Sequence, residues 1–586
     1  MTKTRIMVLA LVAAAFAMFV VQAGSAAQPL KKKPPKHHVK KKPPKKKSPK
    51  PGLNATQKLG KIQHVVVIYE ENHSFDNLYG GWEGVNGRTK ADQAHTTQIN
   101  QNGTAYSCLM QVDVNLVAVT PQSCTDSTTG TTFSSHFTNT PFLIDDFIKP
   151  ADTTCPPNPN AAFSSANGFA KGSGSPGGCT RDIVHEFYQD QYQENGGAMN
   201  RFVTGSDAVG LVMGQYDTKQ LPIYQYLHQP SHPKYVIMDN FFQGAFGGSF
   251  LNHQYLIASQ APLCVSNATT DCSTLHTIVD TNGMPVSYPL YHATATVKRN
   301  PLTVTCPSAL PNLACGDFAV NTMQPSQQPF GAFGAKLPLV QNETTIGDEL
   351  SAKAVSWAWY AGGWSNADGD VNQPGWTNGS GPNCSDPNVL TGAKYPNCPD
   401  ALFQFHHQPF NYFSQYAPNT PGRAHLKDEA EFMSTLQSSS TSCGLPAVSF
   451  DKPLGEENEH PGYASTANGE SHLVTLLKAI QGSACAKDTL VIVTYDEFGG
   501  QWDHVPPPGQ VGGPAGPSDK FGPGPRIPAL VLSPYLGPAA GVDHTEYDTT
   551  AILKLIEQRW GLQALTARDG AQHSLSNVFN ARPLGQ

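Results

Sequence analysis

The sequence predicts an α/β protein with a largely parallel central sheet, and three observations carry that prediction. Short, continuous β-branched runs recur along the chain, and the strongest of them close on carboxylates, amides or hydroxyls. Segments with helical hydrophobic spacing lie between the runs. The composition is low in charge (14%) and rich in loop formers, with 53 Gly and 48 Pro, which suits a compact fold carrying long loops. The same composition excludes collagen, coiled coil and a polytopic membrane protein. Strands alternating with helices place the chain among the α/β sandwiches, with helices on both faces of one sheet.

Taken in order, residues 65–69 form the run Val-Val-Val-Ile-Tyr and end in Glu70-Glu71-Asn72-His73, the pattern of a central strand buried on both faces. Similar runs lie at 235–238, followed by Asp239, and at 490–495, followed by Asp496-Glu497. Residues 355–359 and 529–533 are two further strand candidates. Helices are expected over 221–227, 345–352, 426–436, 471–481 and 549–559. Two stretches, roughly 85–180 and 260–340, read as long loop inserts. Ligand sites of parallel sheets form outside the carboxyl ends of the strands, so the polar clusters there are where a metal site is expected.

Residues 1–27 read as a secretory signal peptide. Lys3 and Arg5 precede an apolar segment, and Gly24-Ser25-Ala26-Ala27 makes a small-residue cleavage site. No twin arginine is present, which implies the general secretory route and a periplasmic or extracellular protein. Residues 28–61 read as a disordered basic arm, with the hexamer KKKPPK at Lys31–Lys36 and again at Lys40–Lys45. Like-charge repulsion and proline keep such a segment extended. A solvated spacer is the simpler role, and electrostatic contact with an anionic surface is the other. Residues 62–586 are expected to form one catalytic domain. Thirteen of the 39 lysines and arginines fall within residues 1–51, which hold no acid, so the remaining 26 face all 45 acids. A body this acidic argues against a nucleic-acid groove.

The twelve cysteines fall in neighbouring couples inside polar, Gly- and Pro-rich stretches, and none forms C-x-x-C. Export makes disulfides their default use. Local pairing predicts 108–124, 155–179, 264–272, 306–315, 384–398 and 443–485.

Three segments carry the chemistry. Glu71-Asn72-His73-Ser74-Phe75-Asp76 follows the first strand, Gly247-Gly248-Ser249-Phe250 puts a serine behind two glycines, and Tyr495-Asp496-Glu497-Phe498-Gly499-Gly500 closes the third strong run. Glu71, Asn72, Asp496 and Glu497 are hard oxygen donors, suited to a hard divalent cation rather than a thiolate-bound zinc. A serine becomes a nucleophile only beside a base or a metal, and metal-activated Ser249 attacking phosphorus explains why all three segments are needed.

The runs HVVVIYEENHSFDNLYG and TYDEFGGQWDHVPPP resemble the two signatures of the bacterial phospholipase C–acid phosphatase family of phosphoesterases. DIVHEFYQDQYQENGGAMNRFV, MGQYDTKQLPIYQYL, ENEHPGYAS and DHTEYDTTAILKLIEQRW add to the likeness, which spans about residues 62–585. The resemblance implies an alkaline-phosphatase-like three-layer fold whose long inserts are pinned by disulfides. It also implies a divalent metal of unspecified identity on Glu71, Asn72, Asp496 and Glu497, with Ser249 as nucleophile touching it. His185, His406, His407, His460 and His504 lie in family-like segments and are candidates to grip phosphate or protonate a leaving group, His460 or His407 first. His253 and His544 are weaker candidates.

Phospholipase C members typically carry threonine in a GPT sequence at the nucleophile, whereas this chain has GGS followed by FLNH. That departure resembles the acid phosphatase branch, as do His406-His407-Gln408-Pro409-Phe410 and the lack of a module after the Arg582 region; at Glu497, other acid phosphatases carry Asp. The reading is therefore a secreted acid phosphatase acting on small phosphorylated substrates through a phosphoserine. The nearest rival is a phospholipase C, whose choline site would need converging aromatic faces. A rival of another class, a surface-binding protein with a dead core, is opposed by the intact set Glu71, Asn72, Ser249, Asp496 and Glu497.

Overall fold

The computed structural model describes residues 53–110, 182–262, 277–295, 341–462 and 464–585, with short pieces at 122–125, 130, 132–135, 137–146, 298–300, 313–314 and 337–338. The signal peptide, the lysine-rich run and Cys155, Cys179, Cys264, Cys272, Cys306 and Cys315 lie outside the described residues.

β-Branched runs that bury both faces have one stable arrangement, a central sheet covered on each side. The strands are β1 (His64–Glu70), β2 (Tyr235–Met238), β3 (Trp357–Ala361), β4 (Leu426–Asp428), β5 (Val448–Lys452), β6 (Thr489–Tyr495), β7 (Ala529–Leu532), β8 (Ala540–Asp543) and β9 (Arg582–Pro583). They form one nine-stranded sheet in the order β4-β3-β5-β1-β6-β7-β2-β8-β9. β1 runs parallel to both neighbours, with Ile68 opposite Asp451 and Glu70 opposite Tyr495. β7 is antiparallel to β6 and to β2, and β9 is antiparallel to β8. The remaining pairings are parallel. β1 and β6 are buried almost throughout, as their continuous apolar runs require.

Five helices matter here: α1 (Ala55–Leu59), α2 (Ser249–Ala258), α3 (Glu429–Ser438), α4 (Thr466–Gly482) and α5 (Thr550–Trp560). The pleat sends alternate side chains to opposite faces. Tyr69 and Trp359 point to one face, where they meet the ring of His253 from α2. Tyr360 points to the other and packs on Phe432 of α3. Helices therefore cover both faces, as expected.

Several boundaries differ from the sequence reading. The helix expected over 426–436 is split: Leu426–Asp428 pairs with β3 as an edge strand, and the Asp428 carboxylate accepts from Ala430 N to start α3. An aspartate that caps resets the helix start whatever the apolar spacing upstream. The chain is already helical before Ile62. Asn54 and Gln57 make a capping box around α1, whose Leu59 is buried and whose Lys58 Nζ donates to Phe579 O. β5 and β8 were not foreseen, because β5 ends in Asp451-Lys452 and β8 holds a glycine and an aspartate. Leu53–Gln586 forms one compact unit.

Disulfides join Cys384 to Cys398 and Cys443 to Cys485, as local pairing predicts. Cys108 is also disulfide-bonded. Among the described residues no helix is long and apolar enough to cross a membrane.

Candidate active site

Parallel strands deliver their following residues to one end of the sheet, and β1 and β6 are adjacent. Glu71 thus arrives beside Asp496, and the chains stay linked as Asp496 N donates to Glu70 O at 3.0 Å. Asn72 turns away in the left-handed region (φ 57°) and its N–H donates to Asp496 Oδ1 at 3.3 Å. Gly499 lies against it: a Cβ there would come within 2.3 Å of Asn72 O, so only glycine lets the two loops touch. Glu497 is tied down by Gly499 N, which donates to its Oε2 at 2.6 Å.

Ser249 comes from a third direction, as the first residue of the ten-residue α2. Gly247 makes the turn before it at φ 84°, where a Cβ would sit 2.7 Å from Phe187 N. The turn is held by Gly247 N donating to Asp190 Oδ2 at 3.1 Å, and by Gln243, whose Nε2 donates to Gly247 O at 3.2 Å. Gln243 Oε1 accepts from Phe498 N at 2.9 Å, so one side chain joins the serine turn to the Glu497 loop. Ser249 is 3% exposed, and its Oγ donates to Glu71 Oε2 at 3.5 Å. The helix N-terminus behind it favours negative charge.

Around the carboxylates stand cations and imidazoles. Lys452 Nζ lies 2.6 Å and His407 Nε2 2.7 Å from Glu71 Oε1, both as close ion-pair contacts without hydrogen-bond alignment. Burial alone would push Glu71 up, but Lys452 and then His407 hold it well below the usual carboxylate range. Asp496 lies 3.8 Å from the His253 ring, and burial followed by the charge of Glu71 pushes it up to about 7 against the opposing charge of Lys452. Glu497 is pushed up strongly by burial, although His185 opposes this. His185 Nε2 stands 3.6 Å from Glu497 Oε1, and its Nδ1 donates to Ile183 O at 2.6 Å. Burial disfavours its proton, but Glu497 and Asp182 outweigh that and raise it to about 10.

His460 plays a different part. Its Nδ1 must carry the proton, since it lies 2.6 Å from the acceptor Pro461 O, and Asn72 Nδ2 then donates to Nε2 at 2.9 Å. That fixes the Asn72 amide with Oδ1 toward the carboxylates.

A cation fits this donor set. Asn72 Oδ1, Asp496 Oδ2 and Glu497 Oε1 are buried oxygens with no hydrogen-bond partner. Buried oxygens of this kind are costly unless something positive faces them; His185 does so for Glu497 Oε1 at 3.6 Å, and a cation would do so for the whole set.

Eight of the sequence candidates thus converge: Glu71, Asn72, Ser249, Asp496, Glu497, His185, His407 and His460. His406 sits one ring behind, edge-on to His407 at 4.8 Å and to His253 at 5.4 Å, and burial holds it neutral. His504 stands apart, in a different buried cluster. Its Nδ1 faces Asp76 Oδ2 at 2.5 Å, and Arg526 binds both Asp76 (3.3 Å) and Asp503 (2.8 Å). His544 is on Asp239, 2.8 Å away. Two residues of the site were missed or underweighted. Lys452 hid as the last residue of an unrecognised strand. His253, four residues after Ser249 on α2, donates from Nδ1 to Ser249 O at 2.8 Å and stacks on His407 at 5.6 Å. The i, i+4 spacing from Ser249 was the available signal for it.

A helix-terminal serine thus faces acidic oxygens at the ends of parallel strands, and the chain belongs to the Phosphoesterase family, whose model matches residues 62–563. Among curated proteins it is similar to phospholipase C B of Mycobacterium tuberculosis, 35% identical over 156 residues, covering 23% of this chain and 30% of the relative. It is also similar to non-specific phospholipase C6 of Arabidopsis thaliana (31% identical, 22% and 28% covered) and to non-hemolytic phospholipase C of Burkholderia pseudomallei (29% identical, 25% and 25% covered). The matches thus span less than a third of each relative's length. Among solved structures, a protein of the alkaline phosphatase superfamily from Vibrio parahaemolyticus aligns with 70% of this chain and 75% of its own, at 11% identity and a TM-score of 0.26.

Proposed function

We propose that this chain is an exported phosphoesterase that hydrolyses phosphomonoesters through a phosphoserine at Ser249. The observation that carries the reading is Ser249 itself: a buried hydroxyl at a helix N-terminus, 3.5 Å from Glu71, among three buried oxygens that lack partners. Glu71, Asn72, Asp496 and Glu497 would hold a divalent cation, which when bound supplies positive charge that favours the serine alkoxide and screens phosphate.

The chain's own groups divide the remaining work. Ser249 Oγ forms the bond to phosphorus as the bond to the leaving oxygen breaks. The helix N-terminus adds positive charge beside Ser249, and Lys452 balances the charge of Glu71. The leaving oxygen needs a proton. His460 Nε2 is engaged by Asn72, and burial holds His407 to about 4. His185 stands 3.6 Å from Glu497 with its side chain 15% exposed, at the solvent side, so it is the donor this reading favours. Water then attacks phosphorus from the vacated side as the Ser249 Oγ–phosphorus bond breaks; one water proton passes to His185, phosphate leaves and the serine alkoxide is restored. Disulfides within the domain suit an oxidising compartment.

A second reading, phosphodiester cleavage, is favoured by the names of the curated relatives, which are phospholipases C. Turnover of p-nitrophenyl phosphate against p-nitrophenyl phosphorylcholine, across pH and with or without chelator, decides between them. Acid-quenched protein should yield phosphoserine in the peptide holding Ser249. Phosphate trapped on a histidine instead would sink the serine mechanism, and exclusive turnover of the choline ester would replace the monoesterase reading.

A further inference from the structure

The sheet has a second acidic face. Glu70 and Asp451, on the neighbouring strands β1 and β5, point away from Ser249 toward α3 and α4. Both are fully buried, and none of their four carboxylate oxygens has a hydrogen-bond partner. Above them, three groups converge from three separate segments: Glu429 from the first turn of α3, His472 from α4, and Glu457 from the loop before α4. His472 Nε2 is 2.6 Å from Glu429 Oε1, and His472 Nδ1 is 3.6 Å from Glu457 Oε1. One donor atom from each lies within 4.8 Å of the others. Glu70 and Asp451 both feel the charges of His472 and Glu429.

We infer that Glu429, Glu457 and His472 form a second divalent-cation site on the reverse face of the sheet, with the carboxylates of Glu70 and Asp451 beneath it. The donor atoms of Glu429, Glu457 and His472 lie within 4.8 Å of one another, close enough to share a single ion, and the four oxygens of Glu70 and Asp451 beneath them are buried without hydrogen-bond partners. One imidazole with carboxylate oxygens suits zinc or manganese better than calcium. Access is open, because the Glu457 side chain is 42% exposed while Glu429 is 9% exposed.

The site would reach the catalytic face through the chain itself. Asn458, next to Glu457, accepts Glu71 N through its main-chain oxygen at 2.9 Å, and its Oδ1 accepts His460 N at 3.0 Å. An ion holding Glu457 to α4 would therefore brace the loop that places His460 on Asn72. The ligand set does not depend on the reaction assigned to Ser249.

The test uses the full mature protein, stripped with chelator and re-equilibrated with zinc chloride alone. Zinc per chain is measured after gel filtration, and thermal unfolding is followed with and without zinc. In an Asp496→Asn background, which disables the catalytic set, one zinc should remain and should raise the midpoint. Adding Glu457→Gln or His472→Gln should weaken that zinc by about tenfold or more and abolish the shift. Should Asp496→Asn fail to fold, the same substitutions in the wild-type protein should lower the stoichiometry by one. Zinc content unchanged by both Glu457→Gln and His472→Gln would overturn the proposal. So would an Asp496→Asn protein that is folded yet binds no zinc.

Discussion

Glu70 and Glu71 are consecutive, equally buried and identical in chemistry, yet the pleat sends them to opposite faces of the sheet and into opposite ionisation. Glu71 lies 2.6 Å from Lys452 and is held well below the usual carboxylate range. Glu70 faces Asp451, Glu459 and Glu470, and burial, opposed chiefly by Lys452, pushes it up to about 8. The two are equally buried, so burial alone does not separate them; the Lys452 cation within ion-pair distance of Glu71 does. The catalytic face supplies Lys452 from β5 and imidazoles from three loops and α2, while the reverse face supplies His472 at its rim.

The largest expected effect tests the catalytic face. Ser249→Ala should lose roughly 10⁴-fold or more in turnover with an unchanged circular dichroism spectrum, because no neighbouring group replaces the covalent step. Ser249→Thr should recover part of that loss. Near-normal turnover in the alanine variant would leave direct attack by water as the better account.

Asp496→Asn comes next. It removes a carboxylate with one unpartnered oxygen, so metal content and turnover should fall together, the latter by about 10³-fold. Metal analysis alongside kinetics checks it, and turnover that collapses with metal content intact would place the carboxylate's role elsewhere.

Lys452→Met probes the difference between the faces. It strands Glu71 without its closest cation, and breaking a buried pair costs about 3–5 kcal/mol. Urea unfolding of chelator-treated protein should register that loss, and restoring divalent metal should recover part of it. Should stability hold, Glu71 must be balanced by His407 alone.

The smallest effect concerns pH. In chelator-treated protein Glu70 and Glu470 are both pushed up to about 8 by burial, from an ordinary value of 4.5. The folded state then binds more protons than the unfolded state between those values, so stability falls as pH rises through that window and is regained on acidification. Glu70→Gln should flatten this dependence in unfolding midpoints measured across the window. An equally steep profile in the variant would assign the effect to Glu470 and its neighbours.

Much of the site could be read before any coordinates. Glu71, Asn72, Asp496 and Glu497 each follow a strand whose apolar run is visible, and a parallel sheet sends such residues to one end whatever the rest of the chain does. Ser249 is legible because the Gly247-Gly248 pair announces a turn, and Gly247, at φ 84°, takes a conformation that favours glycine. The pairs 384–398 and 443–485 follow from nearness in sequence. These features depend on neighbours along the chain, which is why local pattern is enough for them.

What the tertiary structure alone decided are the partnerships between distant segments. Lys452 ends a strand whose Asp451 and Lys452 look like surface residues, and only pairing with β1 buries them. His504 belongs to a motif beside Glu497, yet Asp76 and Arg526 capture it in a separate cluster. His460 and His407 were equal candidates for proton donor until Pro461 O and Asn72 fixed the tautomer of one and Glu71 drew in the other. The charge of a buried group is set by what stands within a few ångströms of it, and that distance is written in the fold rather than in the order of residues.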